Sequence, residues 1–170
     1  MVSYFLIFLK LKETKNKRNT GRIEVYMNVI INNQNIITNK QISRVLKLTK
    51  FKDLDNTKLI VLETKTDIFK ARRIIYYTHF LETYNCEGVY NQFYDFTIVK
   101  LYNLEGNIED RRLYGIGVIL HELKHRDDLM LNGRTNEISA DKYAKKFLNN
   151  NSNAIKDILK LKDEWEIEEF

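Results

Sequence analysis

The sequence predicts an α+β fold, in which a small mixed sheet packs on two consecutive helices and a basic β-meander precedes them. Two short apolar runs, 58–63 and 96–101, have the length and composition of buried strands. A helix is predicted between them, over about 67–84. The apolar run 116–120 leads into a long helical pattern, and a second helical pattern begins at Glu137.

Charge divides the chain into two parts. Residues 1–52 contain eleven Lys and Arg against two acidic residues, whereas residues 53–170 are slightly acidic overall. We therefore predict a basic, β-rich N-terminal module over 1–52, which could be part of the same domain, and a domain over 53–170 that closes with a helix. A chain of 170 residues is long enough to bury a sizeable core.

The N-terminal module is predicted as a meander, with strands over about 3–12 and 22–31 and a polar turn at 32–35 before a third strand or a helix. Its positive charge could bind a nucleic-acid backbone, which makes nucleic acid one partner that the sequence allows. The other interpretation is that the lysines keep edge strands soluble and unpaired.

The single cysteine, Cys86, excludes an internal disulfide. With nothing else indicating secretion, we expect a cytoplasmic protein. The apolar residues 1–9 are far fewer than the roughly 20 that cross a bilayer, and they lack a basic start and a small-residue cleavage site. No membrane partner is expected.

A five-residue motif, His121-Glu-Leu-Lys-His125, has the spacing of a metal site. At 3.6 residues per turn, His121 and His125 lie on one helix face and can bind the same ion. Glu122 lies beside them, where it can act on a water molecule instead of binding the metal. A catalytic zinc ion takes three protein ligands, so one more is needed.

Glu137 is the best candidate for this third ligand, twelve residues after the second histidine. Asp141 follows one turn later on the same helix face, where it can accept a hydrogen bond from a ligating imidazole and fix its orientation. Asp127 and Asp128 are competing ligands, although directly after the motif they would more often be solvated or capping acids.

These motifs resemble those of the minimal gluzincins, which include the ImmA/IrrE-type metallopeptidases of mobile elements and stress regulons. The resemblance covers roughly residues 58–150, including Gly88-Val-Tyr90. Two features depart from the family pattern: the interval between His125 and Glu137 is short, and Lys124 stands where glycine is common.

The resemblance implies Zn2+ as cofactor, Glu122 as general base and acid, and hydrolysis of peptide bonds in a dedicated protein substrate such as a regulator. It also implies that the strand before the active-site helix is an edge along which an extended peptide can pair. Such a mechanism also requires a hydrogen-bond donor that stabilises the oxyanion formed during hydrolysis. Tyr114 and Tyr143 are candidates, with Arg134 and His79 as further ones; for any tyrosine, packing is the more common role.

Two other functions stay open. The chain could be a nucleic-acid-binding or regulatory protein in which the gluzincin part is a degenerate scaffold. It could also be an interaction protein in which zinc only holds two helices together; a fourth ligand from Asp127, Asp128 or His79 would then close the site.

The C-terminal region is predicted to form a closing helix, with Ser152 as its N-cap. Five acidic residues lie within 163–170. They could form a solvated end, dock on the basic N-terminal sheet, or cross the active-site cleft.

Overall fold

A computed structural model describes residues 27–74 and 86–167. The predicted strand over 3–12 and the first half of the predicted strand over 22–31 lie outside these residues. Within them, four strands form one sheet in the order β1-β2-β4-β3. The strands are β1 (Asn28–Ile31), β2 (Lys58–Leu62), β3 (Gly88–Asn91) and β4 (Phe96–Lys100).

The sheet is mixed, as predicted. β1 and β4 both pair with β2 in parallel, whereas β3 pairs with β4 antiparallel. Five α-helices lie in the described residues, together with 3-10 turns at Leu54–Asn56 and Leu101–Asn103. The helices are α1 (Asn39–Leu46), α2 (Asp67–Ile74), α3 (Ile108–Asn132), α4 (Glu137–Asn150) and α5 (Ser152–Leu159).

These elements confirm the α+β class. β2 and β4 each end one residue before the predicted strand does, and the predicted helix begins at Asp67; its part from 75 onward lies outside the described residues. The element after the turn at 32–35 is the helix α1. β1 pairs with β2 and α1 packs in the core shared with α3 and α5, so residues 27–52 share one sheet and one core with the later chain.

β2 alternates its side chains between two apolar layers. Leu59 and Val61 face the main core with α3, and Ile60 and Leu62 face a smaller core that includes Ala71 of α2. Because both faces are covered, β2 reads as a continuous apolar run. β4 is also internal, so the expectation that the strand before α3 is an edge is wrong: the hairpin turns β3 back onto β4, and β3 takes the outer position among the described strands.

The predicted N-cap at Ser152 is also wrong. Asn151 occupies that position and Ser152 is the first helical residue of α5. The Asn151 side chain instead donates to the Phe147 carbonyl at 2.8 Å, which caps the end of α4. The chain then packs back on α4, where the Asn149 amide exchanges two hydrogen bonds with the backbone of Ile167.

No helix within the described residues has the length and apolar character needed to cross a bilayer.

Asp67 joins the carboxyl end of β2 to the start of α2. Its buried carboxylate accepts hydrogen bonds from the backbone N–H groups of Glu63 and Thr64 and from the side chains of Asn33 and Lys70. Burial alone would raise the pKa of Asp67, but the bonds from Asn33, Lys70 and Thr64 outweigh it and lower that pKa to about 2.

Asp67→Asn should therefore lower the free energy of unfolding at pH 7 by about 2 kcal/mol. A carboxylate with a depressed folded-state pKa stabilises the protein above pH 4, and this contribution is lost as pH falls towards 2. Urea unfolding at pH 7, 4 and 2.5 should show that the difference in the free energy of unfolding between wild type and variant becomes smaller as pH falls. Asp157→Asn, at an exposed position of α5, is the control and should leave stability unchanged. A gap that is constant with pH would contradict this account.

Candidate metal centre

Two helices bring the three predicted ligands together. The loop between α3 and α4 spans only 133–136, so α4 folds back along α3; Asn136 caps α4 by accepting from the N–H of Ser139. Glu137, at the start of α4, then reaches the histidine face of α3. We call His121, His125 and Glu137 the metal triad.

The donor atoms of the metal triad converge on one point. The two histidine Nε2 atoms lie 2.9 Å apart, and the Glu137 carboxylate lies 3.1 Å from His121 Nε2 and 3.3 Å from His125 Nε2. Ligands at 2.0–2.1 Å in a tetrahedral shell are about 3.3 Å apart, so these separations fit a zinc-sized ion. The metal triad could hold a metal ion.

Asp141 orients the first histidine. Its carboxylate accepts a hydrogen bond from His121 Nδ1 at 2.8 Å. The Nδ1 proton fixes the tautomer, so the Nε2 lone pair of His121 is directed to the centre of the metal triad. The structure thus places Asp141 in contact with one of the two histidines, and the role of that histidine as a metal ligand stays a prediction.

His125 is the more buried of the two histidines. Burial lowers its pKa, against the opposing effect of the nearby Glu137 charge, so the neutral imidazole that a metal requires is favoured. Its Nδ1 is buried and has no partner among the described residues. Among the described residues, a carboxylate thus holds the Nδ1 of His121 but not the Nδ1 of His125.

Glu122 is buried next to the metal triad and points into the same cavity. Burial raises the pKa of Glu122 to about 8, helped by the negative charge of Glu137 and opposed by a hydrogen bond from the Tyr90 backbone N–H. A carboxylate with a pKa near neutrality can accept a proton and later return it, which suits a general base and acid.

β3, the outermost of the described strands on this side of the sheet, faces this carboxylate. Lys100 N–H donates to the Glu87 carbonyl at 2.7 Å, and paired positions alternate in an antiparallel ladder. Gly88 and Tyr90 therefore direct their backbone polar groups away from β4, towards the open side. A Cβ on Gly88 would lie 2.5 Å from a Val118 methyl and 2.7 Å from Glu122 Oε1, so only glycine fits here.

The cavity encloses about 750 Å³ between β3 and the facing sides of α3 and α4. It contains the metal triad, Glu122 and Asp141, and among the described residues no lysine or arginine lines it. The remaining lining residues are Cys86, Glu87, Gly88, Val89, Tyr90, Asn91, Gln92, Phe93, Val118, Leu129 and Thr135.

The two tyrosines predicted as oxyanion donors do not line the cavity. Tyr114 is exposed, two turns before His121 on α3. Tyr143 packs between Phe51 and Phe147, with ring centroids 5.1 and 6.1 Å away, and burial together with the charge of Asp127 raises its pKa to about 12.

The structure also shows where the two competing acids lie. Asp128 is paired with Lys124 one turn earlier on α3, and neither Asp127 nor Asp128 belongs to the cluster that could hold a metal. Arg134 lies beside a different, polar cavity with Asn132 and Thr135. His79 lies outside the described residues.

A buried network that holds α3 to the hairpin was not predicted. Arg126, directly after His125, donates to the carbonyls of Lys52 and Asp53 and to the Asp95 carboxylate. Asp95 also accepts from the Tyr90 hydroxyl at 3.1 Å. An arginine between the apolar positions and the predicted ligand positions of the helix was the available signal, but its partners are 31 or more residues away.

In comparisons with known proteins, no family model matches the chain, and neither the curated proteins nor the solved structures include a significant match.

Proposed function

We propose that this protein is a zinc-dependent peptidase. The observation that carries the proposal is the open arrangement of the metal triad: two imidazoles and one carboxylate converge at the wall of a cavity, with Glu122 beside them. Three protein ligands and one open position are the pattern of catalytic zinc, whereas a structural zinc has four protein ligands. Among the described residues, no fourth histidine, cysteine or acid completes the cluster.

Each residue has a distinct task in this mechanism. His121, held by Asp141, and His125 supply neutral nitrogen donors, and Glu137 supplies the anionic one. The bound zinc would polarise the scissile carbonyl and acidify a water molecule. Glu122 would take the proton from the attacking water and deliver it to the leaving amine.

The substrate class follows from the shape of the open side. The Tyr90 N–H already donates to Glu122, but the backbone groups of Gly88 and the carbonyl of Tyr90 also point away from β4 and can pair with an extended chain, as strands add to exposed sheet edges. An extended peptide along β3 would cross the cavity beside the metal triad. This supports a peptide or protein substrate.

Metal content tests the ligand set. After exhaustive dialysis, elemental mass spectrometry should find one zinc per chain in the wild type and none in His121→Ala or Glu137→Ala, because a site with two remaining ligands does not retain zinc. Asp127→Asn is the control and should keep its zinc, since Asp127 lies outside the cluster. A wild type that binds no zinc even when it is supplied would overturn the proposal.

A further inference from the structure

Two large apolar side chains line the cavity beyond His125. Leu129 lines it one turn after His125 on the same face of α3, about 6 Å along the helix axis. Phe93, at the turn between β3 and β4, also lines it and is 82% exposed. We call Phe93 and Leu129 the apolar subsite.

Contacts between β3 and α3 place both residues at the same end. Gly88 lies against Val118 and Glu122, and Asp95, after the turn, pairs with Arg126. The two elements therefore advance in the same direction, and the turn residue Phe93 lies level with the part of α3 that follows His125.

The turn presents Phe93 on a constrained backbone. The Asn91 side-chain oxygen accepts hydrogen bonds from the N–H groups of Phe93 and Tyr94, at 3.1 and 3.3 Å, which closes an Asx turn. The neighbouring Tyr94 stacks on Phe96, whereas the Phe93 ring stays in solvent at the cavity. Because the backbone of the turn is already held, less of it has to be ordered when the Phe93 ring covers an apolar partner.

An extended chain rises about 3.3 Å per residue, so the 6 Å between His125 and Leu129 corresponds to about two residues of a bound peptide. Glu87, Glu137 and Asp141 give the rest of the lining a negative charge. Of the other aliphatic side chains that line the cavity, Val118 is buried against Gly88 and Val89 packs against the smaller core, so Phe93 and Leu129 are the ones placed to desolvate an apolar group. We propose that the apolar subsite selects a large apolar side chain within two residues of the cleaved bond. This rests on the proposed peptidase function.

Binding of peptide hydroxamates tests the subsite without hydrolysis, because a hydroxamate binds an open metal position. The zinc-loaded protein is titrated with short hydroxamates that carry leucine or alanine at each of the two residues nearest the hydroxamate. At one of these positions the leucine compound should bind about tenfold more tightly. In Phe93→Ala and Leu129→Ala, the ratio of the affinity for the leucine compound to the affinity for the alanine compound should fall towards one, while the alanine compound keeps its affinity.

Phe69→Ala and Leu131→Ala are matched controls. Both residues are exposed, at 62% and 73%, and neither lines the cavity, so the ratio should remain about tenfold. A ratio near one in the wild type, or a ratio that survives both cavity variants, would overturn the subsite and leave the peptidase proposal standing. Failure of every hydroxamate to bind would overturn both, since it would mean that no open metal position exists.

Discussion

Glu122→Gln should bind one zinc per chain and lose peptide hydrolysis by a factor of about 10²–10⁴. Glutamine has nearly the shape of glutamate and can still accept the hydrogen bond from the Tyr90 backbone N–H. It cannot take a proton from water at neutral pH. The variant therefore separates proton transfer from metal binding, because Glu122 is not a member of the metal triad.

The assay is cleavage of an unfolded protein or a quenched peptide library, with zinc content measured on the same preparation. Glu87→Gln is the matched control: this glutamate lines the same cavity but lies outside the metal triad, and its loss should change the rate by no more than about threefold. Full activity in Glu122→Gln would show that Glu122 is not the base. An equal loss in both variants would show that the charge of the cavity, not proton transfer, limits the rate.

Gly88→Ala should destabilise the protein by about 1–3 kcal/mol and reduce hydrolysis about a hundredfold. The added methyl would lie 2.5 Å from Val118 Cγ1 and 2.7 Å from Glu122 Oε1. Because the χ1 angle of valine is restricted, β3 must move away from α3 to relieve the contact with Val118, and the Glu122 carboxylate must rotate or shift as well. Either movement displaces the base from its position by a few tenths of an ångström or more.

Thermal unfolding and the peptide assay measure the two effects. The control is Gly115→Ala, whose Cβ would meet a Leu101 methyl at the same 2.5 Å. That methyl ends a flexible side chain, and alanine is favoured over glycine by about 1 kcal/mol inside a helix, so the net change should be small. A Gly88→Ala protein as stable and as active as the wild type would contradict the close packing of β3 on α3.

Part of the site could be predicted from local spacing. His121 and His125 share a helix face because of the helical repeat alone, and the same repeat sets Asp141 one turn after Glu137. The structure brings both pairs to one point, with His121 between Glu137 and Asp141. These are short-range patterns, and they hold whatever the rest of the chain does.

The two tyrosines show that spacing along a helix does not by itself place a side chain at the cavity. Tyr114 shares a face with His121 but lies two turns away along α3, about 10 Å, beyond the end of the cavity. Tyr143 is two residues from Asp141, and residues two apart on a helix do not face each other. Its ring accordingly packs against Phe51, which no local pattern indicates.

The sequence by itself determined that two helices carry a His-Glu-His set and a Glu-Asp pair, and that two buried strands precede them. Only the tertiary structure decided that β3 lies at the edge of the sheet formed by the described residues, that Gly88 lies against Glu122, and that Arg126 reaches Asp95. The reason is range: helical periodicity is a property of neighbouring residues, whereas strand order and close packing depend on pairs that are about 30 residues apart.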